Sequence, residues 1–145
     1  MNVLLDTNVW VSAPISPLGR PAQLREAWEA ERFRTVASDA SLNELAAVLS
    51  RPRIRSRIQV QQADIDRLLQ RLRDVSIVVK PAGLLHVCRD PHDDMILETA
   101  IVGGAQYLVT RDDDIKRDLD LMRELAAHKV TVISVAAFLQ VLAVE

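Results

Sequence analysis

Short apolar runs, each followed by a stretch with helical spacing, recur along the whole of this 145-residue chain. Val3-Leu4-Leu5, Thr35-Val36-Ala37, Val75 to Val79, Tyr107-Leu108-Val109-Thr110 and Val130-Thr131-Val132-Ile133 have the length and apolar character of strands. Residues 21–31, 39–50, 61–73, 91–103, 116–127 and 134–143 read as helices. Leu42, Leu45, Ala46 and Leu49 form one helical stripe, and Ile65, Leu68, Leu69 and Leu72 another. Strands this short, without polar alternation, suit a sheet covered on both faces. The alternation therefore predicts an α/β fold, a three-layer α/β/α sandwich with a mainly parallel five-stranded sheet. No repeat, low-complexity stretch or linker divides the chain, so residues 1–145 are expected to form a single domain. Ser12 to Pro21, with three prolines and a glycine, reads as the longest loop.

Composition narrows the function classes. With 49 % hydrophobic and 26 % charged residues the chain is globular rather than disordered. A chain of this length buries roughly 68–70 % of its unfolded surface without covalent staples. Cys88 is the only cysteine, which excludes a disulfide framework and a cysteine metal cluster; it reads as a small buried apolar residue. The first residues carry no basic leader, and no apolar run approaches the roughly 20 residues of a membrane span. A cytoplasmic protein is expected. The net charge of −2 does not by itself indicate nucleic acid, but its distribution is uneven. Nine acids lie between Asp90 and Asp120, whereas Arg51, Arg53, Arg55 and Arg57 fall within seven residues. One face is thus suited to cations and another to phosphates.

The acids fall where the fold would place a ligand. In open α/β sheets, ligands bind outside the carboxyl ends of the strands. Asp6 directly follows the first run, and Asp112 to Asp114 follow the fourth. Asp90, Asp93 and Asp94 precede or open the helix after the third run, and Glu44 lies early in the helix after the second. Carboxylates gathered at one edge raise each other's pKa, and a hard cation relieves that repulsion. Mg²⁺ or Mn²⁺ held there suits phosphodiester hydrolysis.

Several of these acids have a purely structural use as well. Asp90 before Pro91 is a natural N-cap with proline at N1, and Asp93 complements the helix dipole. Asp94 shares a stripe with Leu97 and Ile101, which turns it inward. Glu98, one turn on, is an outer ligand or a surface charge. Ser41-Leu42-Asn43-Glu44 matches a capping box, whereas Ser38 as the cap places Glu44 in the second turn. Asn8 hydrogen-bonds the first acid's loop or is turn chemistry. Thr7 and Thr110 have hydroxyls to donate to the acids. His92 is available as an acid, although a lone histidine near a cap is more often a surface residue. Trp10 and Trp28 belong to the core or to an apolar dimer patch.

Four segments resemble the PIN-domain ribonucleases, in particular the VapC-like branch that serves as the toxin of toxin–antitoxin pairs. These are Leu4-Leu5-Asp6-Thr7-Asn8-Val9, Ser41-Leu42-Asn43-Glu44-Leu45, Arg89-Asp90-Pro91-His92-Asp93-Asp94 and Tyr107-Leu108-Val109-Thr110-Arg111-Asp112. Leu49-Ser50-Arg51-Pro52-Arg53 is also similar to this branch, and 16 positions separate Asp94 from Thr110. The resemblance implies that Asp6, Glu44, Asp94 and Asp112 are the catalytic, metal-binding acids, with Asp93 and Asp114 as neighbouring alternatives. It further implies Mg²⁺ or Mn²⁺, an RNA substrate, a homodimer and an antitoxin partner. In this reading the RNA backbone follows Arg51, Arg53, Arg55 and Arg57, and few aromatics are present to stack bases.

Other α/β domains also use acids at strand ends. A haloacid-dehalogenase-like phosphatase needs a second Asp where Asn8 stands. A receiver domain needs an adjacent acid pair after the first strand, where Asp6 stands alone. Two alternatives remain: a non-catalytic RNA- or protein-binding module on the same fold, which metal-dependent cleavage of RNA separates from the enzyme, and a deoxyribonuclease, which no sequence feature excludes.

Overall fold

The computed structural model describes residues 1–88 and 90–144. Arg89, Glu145 and the side chain of Asp114 lie outside the described residues, so the expectation for Asp114 is not taken further.

The chain opens with β1 (Asn2–Leu5), followed by helices α1 (Thr7–Ile15) and α2 (Arg20–Glu29). Strand β2 (Arg34–Ser38) leads into α3 (Asp39–Leu49), the short α4 (Pro52–Arg55) and α5 (Gln62–Val75). Then come β3 (Ile77–Val79), α6 (Pro91–Val102) and β4 (Tyr107–Val109). The remainder is α7 (Asp113–Arg117), α8 (Leu119–Ala127), β5 (Thr131–Ile133) and α9 (Val135–Ala143). The five strands form one sheet in the order β3-β2-β1-β4-β5, and every pairing is parallel. This is the expected α/β fold, with the sheet wholly rather than mainly parallel.

Alternation along β1 separates two cores. Val3 and Leu5 pack with the tryptophans, Leu45, Leu72 and Phe138 on one face of the sheet. Leu4 packs with Val36, Leu97, Leu108, Leu121 and Leu125 on the other. Since successive strand side chains point to opposite faces, a single three-residue run secures both layers. Each fully buried aliphatic side chain contributes roughly 1.5–3 kcal/mol.

Some boundaries differ from expectation. Residues 12–15 complete α1 rather than opening a loop, and Pro14 falls in that helix's last turn. There its missing N–H removes at most one bond before the helix stops. Val75 is the last residue of α5, because the backbone ladder continues until Ser76 N–H bonds Leu72 O at 3.0 Å. Pro52 begins α4 as well as following α3. Trp10 and Trp28 meet edge to face at 5.0 Å and are buried, which makes them core. Gly103 at the end of α6 allows a close approach: a Cβ there would stand 2.1 Å from Val36 Cγ1.

Candidate active site

The strand order reverses at β1. The chain runs outward from β1 to β2 and β3, then returns to build β4 and β5 on the other side. The crevice beyond the carboxyl ends of β1 and β4 is therefore a topological switch point, where such sheets bind ligands. Asp6 occupies it. It caps α1, its Oδ1 accepting from Thr7 N–H at 2.8 Å, and its own N–H bonds Val109 O at 3.0 Å. Its Oδ2 accepts from the Thr110 hydroxyl at 2.8 Å and from Asn8 Nδ2 at 3.3 Å. Thr110 in turn accepts from the Asp112 N–H at 2.9 Å, and Asn8 Oδ1 accepts from Arg111 N–H at 3.3 Å. The ends of β1 and β4 are thus tied by side chains as well as by the sheet.

Helix α3 begins at Ser38. Its hydroxyl accepts from Ser41 N–H at 3.0 Å, while the Ser41 hydroxyl accepts from Ser38 N–H at 2.9 Å. Two serines complete the capping box, so Glu44 has no capping role and projects from the second turn. Helix α6 begins at Asp90, whose carboxylate accepts from His92 N–H at 2.9 Å, with Pro91 at N1. His92 then reaches across to α3, Nε2 lying 3.3 Å from Glu44 Oε2.

These elements enclose a cleft of about 360 Å³, onto which Asp6, Glu44, Asp93, Asp112 and His92 open. Asn8 lies on the same wall. Of the four acids expected from the resemblance, the structure brings Asp6, Glu44 and Asp112 together. Asp94 is not among the residues lining the cleft. Its Oδ1 accepts from Val87 N–H at 2.9 Å and Cys88 N–H at 2.7 Å, on the loop between β3 and α6. The inward stripe does bury Asp94, but inward at this helix end leads to that loop. Asp93, one residue earlier, faces the other acids instead. Glu98 is neither outer ligand nor surface charge: it is buried, and its two oxygens accept from Gly83 N–H at 3.0 Å and Leu84 N–H at 3.1 Å. His92, for which the sequence leaves both an acid's role and a surface position open, opens onto the cleft. Its place next to Asp93 is visible in the sequence, whereas its reach to Glu44 depends on how α3 and α6 pack.

Electrostatics separates the two neighbours. Burial pushes the Asp6 carboxyl above its ordinary value; hydrogen bonds from Thr110 and Thr7 oppose this without cancelling it, and the charge of Asp112 adds to it. Asp93 is raised by burial and then by the charges of Asp90, Asp112 and Asp6. For Asp94, burial acts upward, yet the Cys88 and Val87 N–H groups outweigh it and hold the carboxyl below its ordinary value. Asp94 is satisfied as it stands, whereas Asp6 and Asp93 carry a burial cost to which neighbouring acids add. Among the described residues no three His, Cys, Asp or Glu side chains stand close enough to hold an ion without adjustment. The donor set is nonetheless oxygen-rich, as hard divalent cations prefer.

The arginine segment lies apart from this lining. Val48, on the preceding turn of α3, borders the cleft. Arg51, Arg53 and Arg57 are exposed; Arg55 is half-buried, and its Nη1 is enclosed without a hydrogen-bond partner.

The family described as PIN domain matches residues 2–114, a span that contains every acid of the cleft. The chain belongs to the PIN domain family. An uncharacterized protein of Methanocaldococcus jannaschii is 28 % identical over 115 residues, covering 79 % of this chain and 73 % of that one. No solved structure matches. The PIN domain is generally a nuclease fold, typically a hydrolase of nucleic acid that works with divalent metal ions. No helix among the described residues is long and apolar enough to cross a membrane.

Proposed function

We propose that this PIN domain is a metal-dependent endoribonuclease that hydrolyses RNA phosphodiester bonds. The observation that carries the reading is the convergence of Asp6, Glu44, Asp93 and Asp112 on one cleft at the switch point of the sheet. The raised carboxyls of Asp6 and Asp93 favour a cation there, since a divalent charge offsets the cost of burying them and the repulsion from neighbouring acids.

In this proposal Asp6, Glu44, Asp93 and Asp112 hold Mg²⁺ or Mn²⁺, which supplies an activated water and polarises a phosphoryl oxygen. Thr110, Thr7 and Asn8 fix the Asp6 carboxylate, so that its orientation need not be set when substrate binds. His92 Nε2, held beside Glu44, is placed to carry a proton at the mouth of the cleft. Exposed Arg51, Arg53 and Arg57 supply phosphate contacts beyond the Val48 side. The roles as homodimer and as toxin of a toxin–antitoxin pair rest on the resemblance of the four motif segments.

The test is cleavage of an internally labelled RNA in Mn²⁺, in Mg²⁺ and in chelator, by the parent and by Asp93→Asn. Cleavage that needs the ion and is lost in the folded variant is expected. Cleavage that persists in chelator, or undiminished activity of the variant, overturns the scheme. For the toxin role, growth arrest on expression of the parent but not of Asp93→Asn is expected; growth unaffected by an active enzyme removes that role alone.

A further inference from the structure

Beside the acid cleft lies a second cavity of about 520 Å³ with the opposite charge. Arg20 from the start of α2, Arg111 from the turn after β4 and Lys116 from α7 line it, with the hydroxyl residues Ser12, Ser16 and Ser134. Among the described residues no carboxylate side chain lines this cavity. Ser12 borders both spaces, and Thr110, which bonds Asp6, lines the basic one. Among the described residues, charge is therefore sorted across a boundary one side chain wide: acids line one space and cations the other.

Three further features suit the basic cavity to an anion. Arg111 is held over it, its backbone N–H bonding Asn8 and its guanidinium bonding the Ser12 hydroxyl, which leaves its other N–H donors unspent. The first turn of α9, Val135 and Ala136, opens onto the cavity. Ser134 caps that helix by accepting from Ala137 N–H at 3.1 Å, so the two preceding N–H groups have no intrahelical acceptor. Among the described residues Lys116 pairs with the exposed Asp113, at 3.3 Å, a surface contact of the kind that contributes little.

We propose that this cavity is a phosphate-binding subsite, which seats a phosphate group of the nucleic-acid strand next to the one in the acid cleft. The inference rests on the nuclease reading for the identity of the strand, but its contacts involve none of the cleft's acids. The strand then crosses the Ser12–Thr110 boundary, with its neighbouring phosphate on Arg20, Arg111 and Lys116, and these contacts set its register against Asp6.

The test measures binding of a fluorescent single-stranded RNA to the full chain in the Asp6→Asn background, across a salt series, with and without Arg20→Ala plus Lys116→Ala. Losing contacts to two charges flattens the slope of log affinity against log salt by about 1.4, at roughly 0.7 per contact on single strands. An Arg67→Ala plus Arg73→Ala pair on α5 should leave the slope unchanged. An unchanged slope in the cavity variant, or an equal loss in the α5 variant, overturns the proposal. Oligonucleotides with a 5′-phosphate and a 5′-hydroxyl are compared: a loss confined to the former assigns the cavity to a chain-terminal phosphate, and a loss in both to an internal one. Cleavage by the otherwise unaltered chain is read separately. Weakened binding without any cleavage upholds the subsite and sinks the nuclease; cleavage with an unaltered slope does the reverse.

Discussion

Thr110 donates its hydroxyl to Asp6 at 2.8 Å, joining the end of β4 to the end of β1. The same oxygen accepts from Asp112 N–H. Thr110→Val keeps the shape but leaves a buried carboxylate short of a donor and an N–H short of an acceptor. A loss of about 1–3 kcal/mol is expected in urea unfolding, with a marked fall in RNA cleavage, while Thr110→Ser retains both. A valine variant as stable and active as the parent would show that this hydroxyl positions nothing.

Asp6 makes a pH-dependent prediction. Its folded-state pKa is raised, so its favourable contribution is complete below the unfolded value of about 3.9 and is lost as the pH climbs through the folded one. At neutral pH and without a cation the buried charge costs stability. Asp6→Asn should therefore melt higher than the parent in chelator, by about 2–4 °C per kcal/mol relieved. It should also lose most of the rise in Tm that Mn²⁺ gives the parent. A lower Tm in chelator, or an equal response to Mn²⁺, contradicts the placement.

Asp93 and Asp94 should respond in opposite ways to the same substitution. Asp93→Asn is expected to abolish metal-dependent cleavage with the fold intact. Asp94→Asn should weaken the bonds to Val87 and Cys88 N–H and cost about 1–3 kcal/mol. The Asp94 carboxyl is depressed, so its contribution is present above the unfolded value of about 3.9 and disappears as the pH falls through the folded one. Acid unfolding of the parent and the Asp94 variant should converge there. If Asp94→Asn silences cleavage without a change in stability, the two roles are exchanged.

Cys88 offers a chemical probe of the same loop. Burial, and then the neighbouring Asp94 and Asp93, push its thiol up to about 12. The thiolate is the reactive form, so alkylation of the native protein at pH 8 should be far slower than in denaturant, and faster in Asp94→Asn. Equal native and denatured rates would place the thiol in free contact with solvent.

Gly103→Ala tests the packing that sets α6 on the sheet. The added Cβ would meet Val36 Cγ1 at 2.1 Å. Overpacking of this kind costs about 1–3 kcal/mol, and melting should drop accordingly. An unchanged Tm would mean that α6 shifts freely, which should then appear as altered cleavage.

Much of the layout was legible in local pattern. Three buried residues before Asp6 mark a strand end, and Asp90-Pro91 marks a helix start, because each depends on neighbours in sequence. Whether Asp93 or Asp94 faces the cleft was not legible. Both lie in the first turn of α6, and the choice depends on where the 80–88 loop presents its N–H groups. The reach of His92 was hidden for a similar reason: its partner Glu44 is on another helix, brought near by the packing of α3 and α6. The α1 segment was obscured by its prolines and glycine, though Asp6 capping Thr7 was there to be read.

The position of β1 between β2 and β4 has a consequence in time rather than in space. The amide of Asp6, bonded to Val109 O where the central strand β1 and its neighbour β4 end, is expected to be among the slower to exchange its hydrogen. Asp93 stands on the first turn of a helix whose approach is a loop fastened by two carboxylates. The cleft thus joins a wall built on the central strand to one built on a helix end, and the first should exchange its amide hydrogens more slowly than the second. On the proposed nuclease reading, an ion would meet the fixed ligand first and gather the other around it.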